Sequence, residues 1–115
     1  THPQSLIARN NMVPLLIKLG RTSEAVYTAR SVLGLSQQHH PESRLNVFPF
    51  RSNLGRALQA DGDFEAAEEA LLAVEKALRA DAAATPPETA RIRSLLVDLY
   101  EAWGQPEKAD PWRDE

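Results

Sequence analysis

Three sets of side chains in this 115-residue chain have types that do chemistry elsewhere. The first is His39-His40, with His2 as a third imidazole. Metal-binding histidine pairs on a helix stand at i and i+4, whereas adjacent residues point apart, so a loop before Pro41 is expected rather than a metal site. The second is the carboxylate group Asp61, Asp63, Glu68 and Glu69, which suggests acid–base catalysis or cation binding. Its order is that of a helix cap followed by the outer face of a helix. The third is the indole pair Trp103 and Trp112, which either forms a pocket or closes the end of the fold. No nucleophile–base constellation accompanies any of these, so no catalytic residue, no metal and no cofactor is expected.

Composition narrows the class further. A net charge of −3 leaves no basic excess for phosphates, so nucleic-acid binding is not expected. No cysteine is present, which removes disulfides and thiolate zinc sites. No run of ~20 apolar residues occurs, so no membrane partner is expected and the chain is assigned to the cytoplasm. The N-terminus, Thr-His-Pro-Gln, has neither an initiator Met nor the order of a signal peptide, and the chain reads as a fragment of a longer one.

The elements that must position any site are helices. Gly20, Gly62 and Gly104 recur at a fixed interval of 42 residues. Each closes an apolar helical stretch and opens a polar one. At matching offsets stand Met12, Leu54 and Leu96, then Leu16, Leu58 and Tyr100, then Ala25, Ala67 and Ala109. Such a period marks a helical repeat array, whose units bury their apolar faces by stacking on neighbours. The periodicity predicts six helices in three antiparallel pairs. The first runs from Pro3 to Leu19, and the second starts near Thr22-Ser23 and frays between Gly34 and Gln38. The third starts at Pro41-Glu42 and runs to Asp61, with a break near Phe48 because Pro49 removes a hydrogen bond and clashes one turn back. The fourth starts at the N-cap Asp63, and its alanine-rich tail extends toward Ala84. Thr85-Pro86-Pro87-Glu88 reads as a capping box for the fifth. The sixth, from Pro106, is cut short by Pro111. Tyr27 is expected between repeats, one of Phe48 and Phe50 in the core, and Trp112 on the last turn near Trp103 or Leu99.

These residues resemble the tetratricopeptide repeat, in the long-period form of kinesin-light-chain-like arrays. The best unit is Asn53-Leu54-Gly55-Arg56-Ala57-Leu58, then Gly62-Asp63-Phe64-Glu65-Ala66-Ala67. The first unit matches at Asn11, Leu16 and Gly20 to Ala25, and the third at Leu95-Leu96, Tyr100, Gly104 and Ala109. The implied fold is all-α, a right-handed α-solenoid of three antiparallel helix pairs forming one domain, residues 1–115, with repeats at about 1–40, 41–84 and 85–115. The segment Leu99 to Ala109 with Trp112-Arg113 is similar to the end of bacterial serine/threonine protein kinases that carry such arrays. The kinase motifs themselves are absent: no Gly-rich nucleotide loop, His-Arg-Asp or Asp-Phe-Gly occurs.

What the resemblance implies is a non-catalytic scaffold that binds a protein or peptide in its concave groove. Carrying the groove positions onto this register gives Asn10, Ser52 and Ser94 as one row. Pro14, Arg56 and Asp98 form the next, and Ile17, Gln59 and Glu101 a third, with Arg91 at the rim. The expected contact residues are therefore Asn10, Ser52, Arg56, Gln59, Arg91, Ser94 and Asp98, with the Arg56 guanidinium suited to a carboxylate. The alternative is a regulatory segment of a larger signalling protein that self-associates, as a homodimer through exposed repeat ends.

Overall fold

The computed structural model describes residues 2–113. Among them every regular element is helical. The elements are α1 (Pro3–Asn10), α2 (Met12–Lys18), α3 (Thr22–His39), α4 (Ser52–Ala60), α5 (Phe64–Arg79) and α6 (Pro86–Ala102), with short turns of 3-10 or π type at Arg44–Asn46, Val47–Arg51 and Pro106–Trp112. None of the helices is long and apolar enough to cross a membrane.

The three periodic glycines occupy the same turn. Gly20, Gly62 and Gly104 have φ of 77°, 86° and 76°, the left-handed region that only glycine enters freely. In each turn the glycine N–H donates back three residues, and the N–H of the next residue donates back five. Arg21 reaches the carbonyl of Leu16 at 2.9 Å, Asp63 that of Leu58 at 2.9 Å and Gln105 that of Tyr100 at 2.9 Å. The 42-residue interval is thus a repeat of backbone geometry as well as of residue type. The caps follow their residue types too. The Asp63 side chain accepts from the Ala66 N–H, and Thr85 with Glu88 forms a complete capping box.

Several boundaries differ from those expected. The first helix is interrupted at Asn11, because Pro14 has no N–H to return to the Asn10 carbonyl and its ring crowds that turn. The second does not fray at Gly34 but continues to His39, held by the burial of Val32, Leu33 and Ser36. The third does not begin at Pro41. A 3-10 turn leads into a break at Phe48, whose φ of −139° and ψ of 115° are extended, followed by a cis bond to Pro49. The fourth stops at Arg79, short of the alanine-rich tail. Tyr27 is 74% exposed and packs between no repeats.

α1 runs into α2 at Asn11, each later helix packs on its successor across a glycine turn or a longer connection, and α4 contacts α2 and α6 as well as α3 and α5. Phe50, Leu71, Val74, Ile92, Leu96 and Leu99 fill the centre at 1% exposure or less. The small residues of the register, Ala25, Ala67 and Ala109, are all at 0%. Ala67 marks a close approach of α5 to α4, since its carbonyl lies 3.6 Å from where a Cβ on Gly55 would stand. Ala67→Leu is expected to overpack this contact and cost about 1–3 kcal/mol. A urea melt of the variant that overlays the parent would show that α4 and α5 are not so close.

Arg44 joins distant parts of the chain. It donates to Asp81 at 2.9 Å and to Glu88 at 3.2 Å, tying the turn before α4 to the start of α6. At the other end of the pairs, the Thr22 hydroxyl donates to Asp61 at 2.7 Å, joining the first glycine turn to the second.

Candidate functional site

The groove positions can be followed one helix at a time. α2, α4 and α6 are the three helices that precede the glycine turns, and a cleft of about 350 Å³ runs across them. α2 contributes Ile17, α4 contributes Arg56, Gln59 and Ala60, and α6 contributes Leu95, Asp98 and Ala102. Phe64, the second residue after Gly62, closes one wall. Arg56 and Asp98 stand one repeat interval apart in sequence and face the same space.

Charge in this cleft is unevenly matched. Arg56 is half-buried and donates from Nη1 to the Asn53 Oδ1 at 3.2 Å. Burial, and then the neighbouring charge of Arg91, lower its pKa from the usual arginine value, although a guanidinium remains charged at any ordinary pH. Among the described residues neither Arg56 nor Arg91 forms an ion pair. Two guanidiniums that repel each other beside an open cleft favour an incoming carboxylate, which Arg binds through two parallel N–H donors.

The seven expected contact residues therefore divide. Arg56, Gln59 and Asp98 line the cleft, and Arg91 lies close enough to Arg56 to act on its charge. Ser94 is exposed, but it lies in a different depression with Ala90, Val97 and Trp112. Asn10 and Ser52 are each only 2% exposed and have no surface to offer a partner in this conformation. The Ser52 hydroxyl donates to the Pro49 carbonyl at 2.9 Å, which is why a polar residue is accommodated there. The Asn10 Oδ1 is buried with no partner. Of the remaining groove positions, Glu101 is held by Arg113 at 3.1 Å.

Several of the other chemical candidates have partners within the chain. The Nδ1 of His2 accepts from the Gln4 N–H at the start of α1. No group of three metal-ligating side chains occurs among the described residues. Asp63 is a helix cap, as expected, but Glu68 is not a solvated outer residue: it accepts from the Tyr100 hydroxyl at 2.7 Å. Burial first, and Glu68 second, push the Tyr100 hydroxyl pKa upward. Trp103 stacks on Phe64 at 5.8 Å and on Tyr100 at 6.3 Å, with the Lys108 ammonium 5.1 Å from its ring centre. Trp112 is only partly buried, packs against the core and lines a depression with Ser94 and Val97.

Sequence reasoning did not mark Phe64, Leu95 or Ala102 as cleft residues. Phe64 was legible as the aromatic of the glycine turn, and its ring serves both that turn and the cleft wall. A second cleft, of about 310 Å³, lies between α3, α4 and α5. It is floored by Leu33, Leu54 and Ala70, with Arg30, Arg51 and Glu69 at its edge.

Against known protein families, curated proteins and solved structures, the chain has no match.

Proposed function

We propose that this chain is a non-catalytic binding module of the tetratricopeptide type, a right-handed solenoid of three helix pairs that holds a polypeptide segment across α2, α4 and α6. The observation that carries this reading is the convergence of Arg56, Gln59 and Asp98, from two helices one repeat apart, on one open cleft. Around them Ile17, Phe64 and Leu95 offer apolar contact, so the cleft combines a hydrophobic bed with a few directed polar groups, the usual make-up of a ligand site. Arg56 is the anchor, and the partner's carboxylate, from an acidic side chain or a chain end, is its counterpart. The binding partner is a protein or peptide, encountered in the cytoplasm and with no cofactor required. The kinase-tail likeness fits a module of this kind attached to a signalling enzyme.

The test is selection of binding peptides from a random displayed library, followed by affinity measurement on variants. Arg56→Ala is expected to weaken a selected peptide about tenfold or more, roughly 1.4 kcal/mol, with the melting temperature nearly unchanged. Arg56→Lys should not restore the affinity, because an ammonium lacks the planar fork. Equal affinity for parent and both variants would remove Arg56 from the site.

A further inference from the structure

Two opposite charges share the α2–α4–α6 cleft without joining. Arg56 turns back along its own helix to Asn53 at 3.2 Å, and the Asp98 carboxylate is in no ion pair among the described residues. Elsewhere on the surface, charges that meet are paired: Arg44 with Asp81 and Glu88, Arg79 with Glu75, and Arg113 with Glu101. The cleft thus keeps a cation on α4 and an anion on α6, each open to a counter-charge from outside. The side-chain amide of Gln59, one turn after Arg56, also has no partner among the described residues.

The spacing of these groups follows from the packing. α4 contacts both α2 and α6. The axes of packed helices lie about 8–10 Å apart. A chain in the polyproline II conformation rises about 9 Å per turn of three residues, so every third side chain falls on one face at that same interval. A segment laid from α2 to α6 therefore meets Ile17, then Arg56, then Asp98, one turn apart. Gln59 favours this conformation over a helix. Its amide both donates and accepts, and a polyproline II backbone leaves its N–H and C=O groups free to be met. Phe64 and Leu95 supply apolar surface beside it.

Resting on the binding reading above, we propose that the cleft selects an extended segment of a protein partner in which every third residue runs apolar, acidic, basic. The apolar side chain lies on Ile17, the carboxylate on Arg56 and the cation on Asp98. The two charged contacts differ in strength. Arg56 is half-buried and offers a planar fork of donors, whereas Asp98 is exposed and its ion pair is screened by water. A segment with its two charges exchanged would set like against like at both positions.

The probes are synthetic peptides with blocked ends, in which Leu, Glu and Lys stand three apart with proline between them to hold the conformation. The reversed sequence accompanies each, so that both chain directions are offered. Each is titrated into the whole labelled chain and followed by nuclear magnetic resonance. One direction is expected to bind and to shift Arg56, Gln59 and Asp98. Replacing its Glu by Gln should weaken binding about tenfold, and replacing its Lys by Gln about threefold. Asp98→Lys is the decisive variant. The position is exposed, so the helical circular dichroism should be kept. A peptide with a second Glu in place of Lys should then bind better than the original, an inversion that no loss of packing produces. Equal binding whichever charge stands third overturns the proposal, as does the absence of shifts with both directions. In either case a library-selected peptide that still shifts Arg56 and Gln59 leaves the cleft standing as a binding site, and its failure as well removes both.

Discussion

Truncating Phe50 to Ala is expected to lower the free energy of unfolding by about 3–5 kcal/mol. Phe50 is the largest side chain with no exposure at all. It follows the break at Phe48 and Pro49, on a segment that packs on α3, α4 and α5. The ring therefore fixes where the second unit begins, a task that the irregular backbone at this point does not perform by hydrogen bonding alone. Deleting it leaves a cavity among three helices that cannot all close in at once. Denaturant unfolding measures the cost directly. A loss under about 1 kcal/mol, small for a large-to-small change in a closed core, would mean that the segment before α4 is loosely packed.

The second large effect is expected at Gly55. A Cβ built there stands 2.6 Å from Leu71 Cδ2 and 2.7 Å from its Cγ, and Leu71 is itself at 0% exposure. Gly55→Leu should therefore cost about 3 kcal/mol, the upper part of the overpacking range, because the obstructed side chain has nowhere to go. Gly55→Ala is the informative companion. Its Cβ alone makes the 2.6 Å contact with Leu71, so it should destabilise as well, offset by up to about 1 kcal/mol of helix propensity and by less than Gly55→Leu, which adds further atoms to the same space. Two melts that shift equally would show that α4 and α5 do not approach as closely as described.

Much of this architecture was legible because it is local. A glycine at φ near 80° leaves a sequence signal, and so do an Asp cap and a Thr–Glu capping box. The break at Phe48 followed from Pro49 by the same logic. Pro14 carried an equal signal in the first helix, yet it was counted only as a groove position. What the sequence hid was tertiary. Nothing in Gly34 or Ser36 announces that α3 runs through both of them to His39; the burial of Val32, Leu33 and Ser36 decides it. Tyr27 looks like a packing residue and is 74% exposed.

The candidate site divides on the same principle. Arg56, Gln59 and Asp98 came from carrying the groove positions of the tetratricopeptide resemblance onto the repeat register, and all three line the cleft. Asn10, Ser52 and Ser94 share a register and polar character, but only Ser94 is exposed; Asn10 and Ser52 are buried, where Ser52 finds the Pro49 carbonyl and the Asn10 Oδ1 finds nothing. Polarity alone does not report exposure when a backbone carbonyl can satisfy a hydroxyl. Leu15 and Leu99 look alike in sequence and differ only in what lies across from them.

The most direct test of binding in the α2–α4–α6 cleft is a nuclear magnetic resonance titration of the labelled chain with a library-selected peptide, following every backbone amide. The largest shifts are expected at Ile17, Arg56, Gln59, Asp98 and Ala102, with their loss in Arg56→Ala. Shifts concentrated instead at Arg30, Glu69, Ala70 and Ala73, unaffected by Arg56→Ala, would contradict it and move the binding surface to the cleft between α3, α4 and α5.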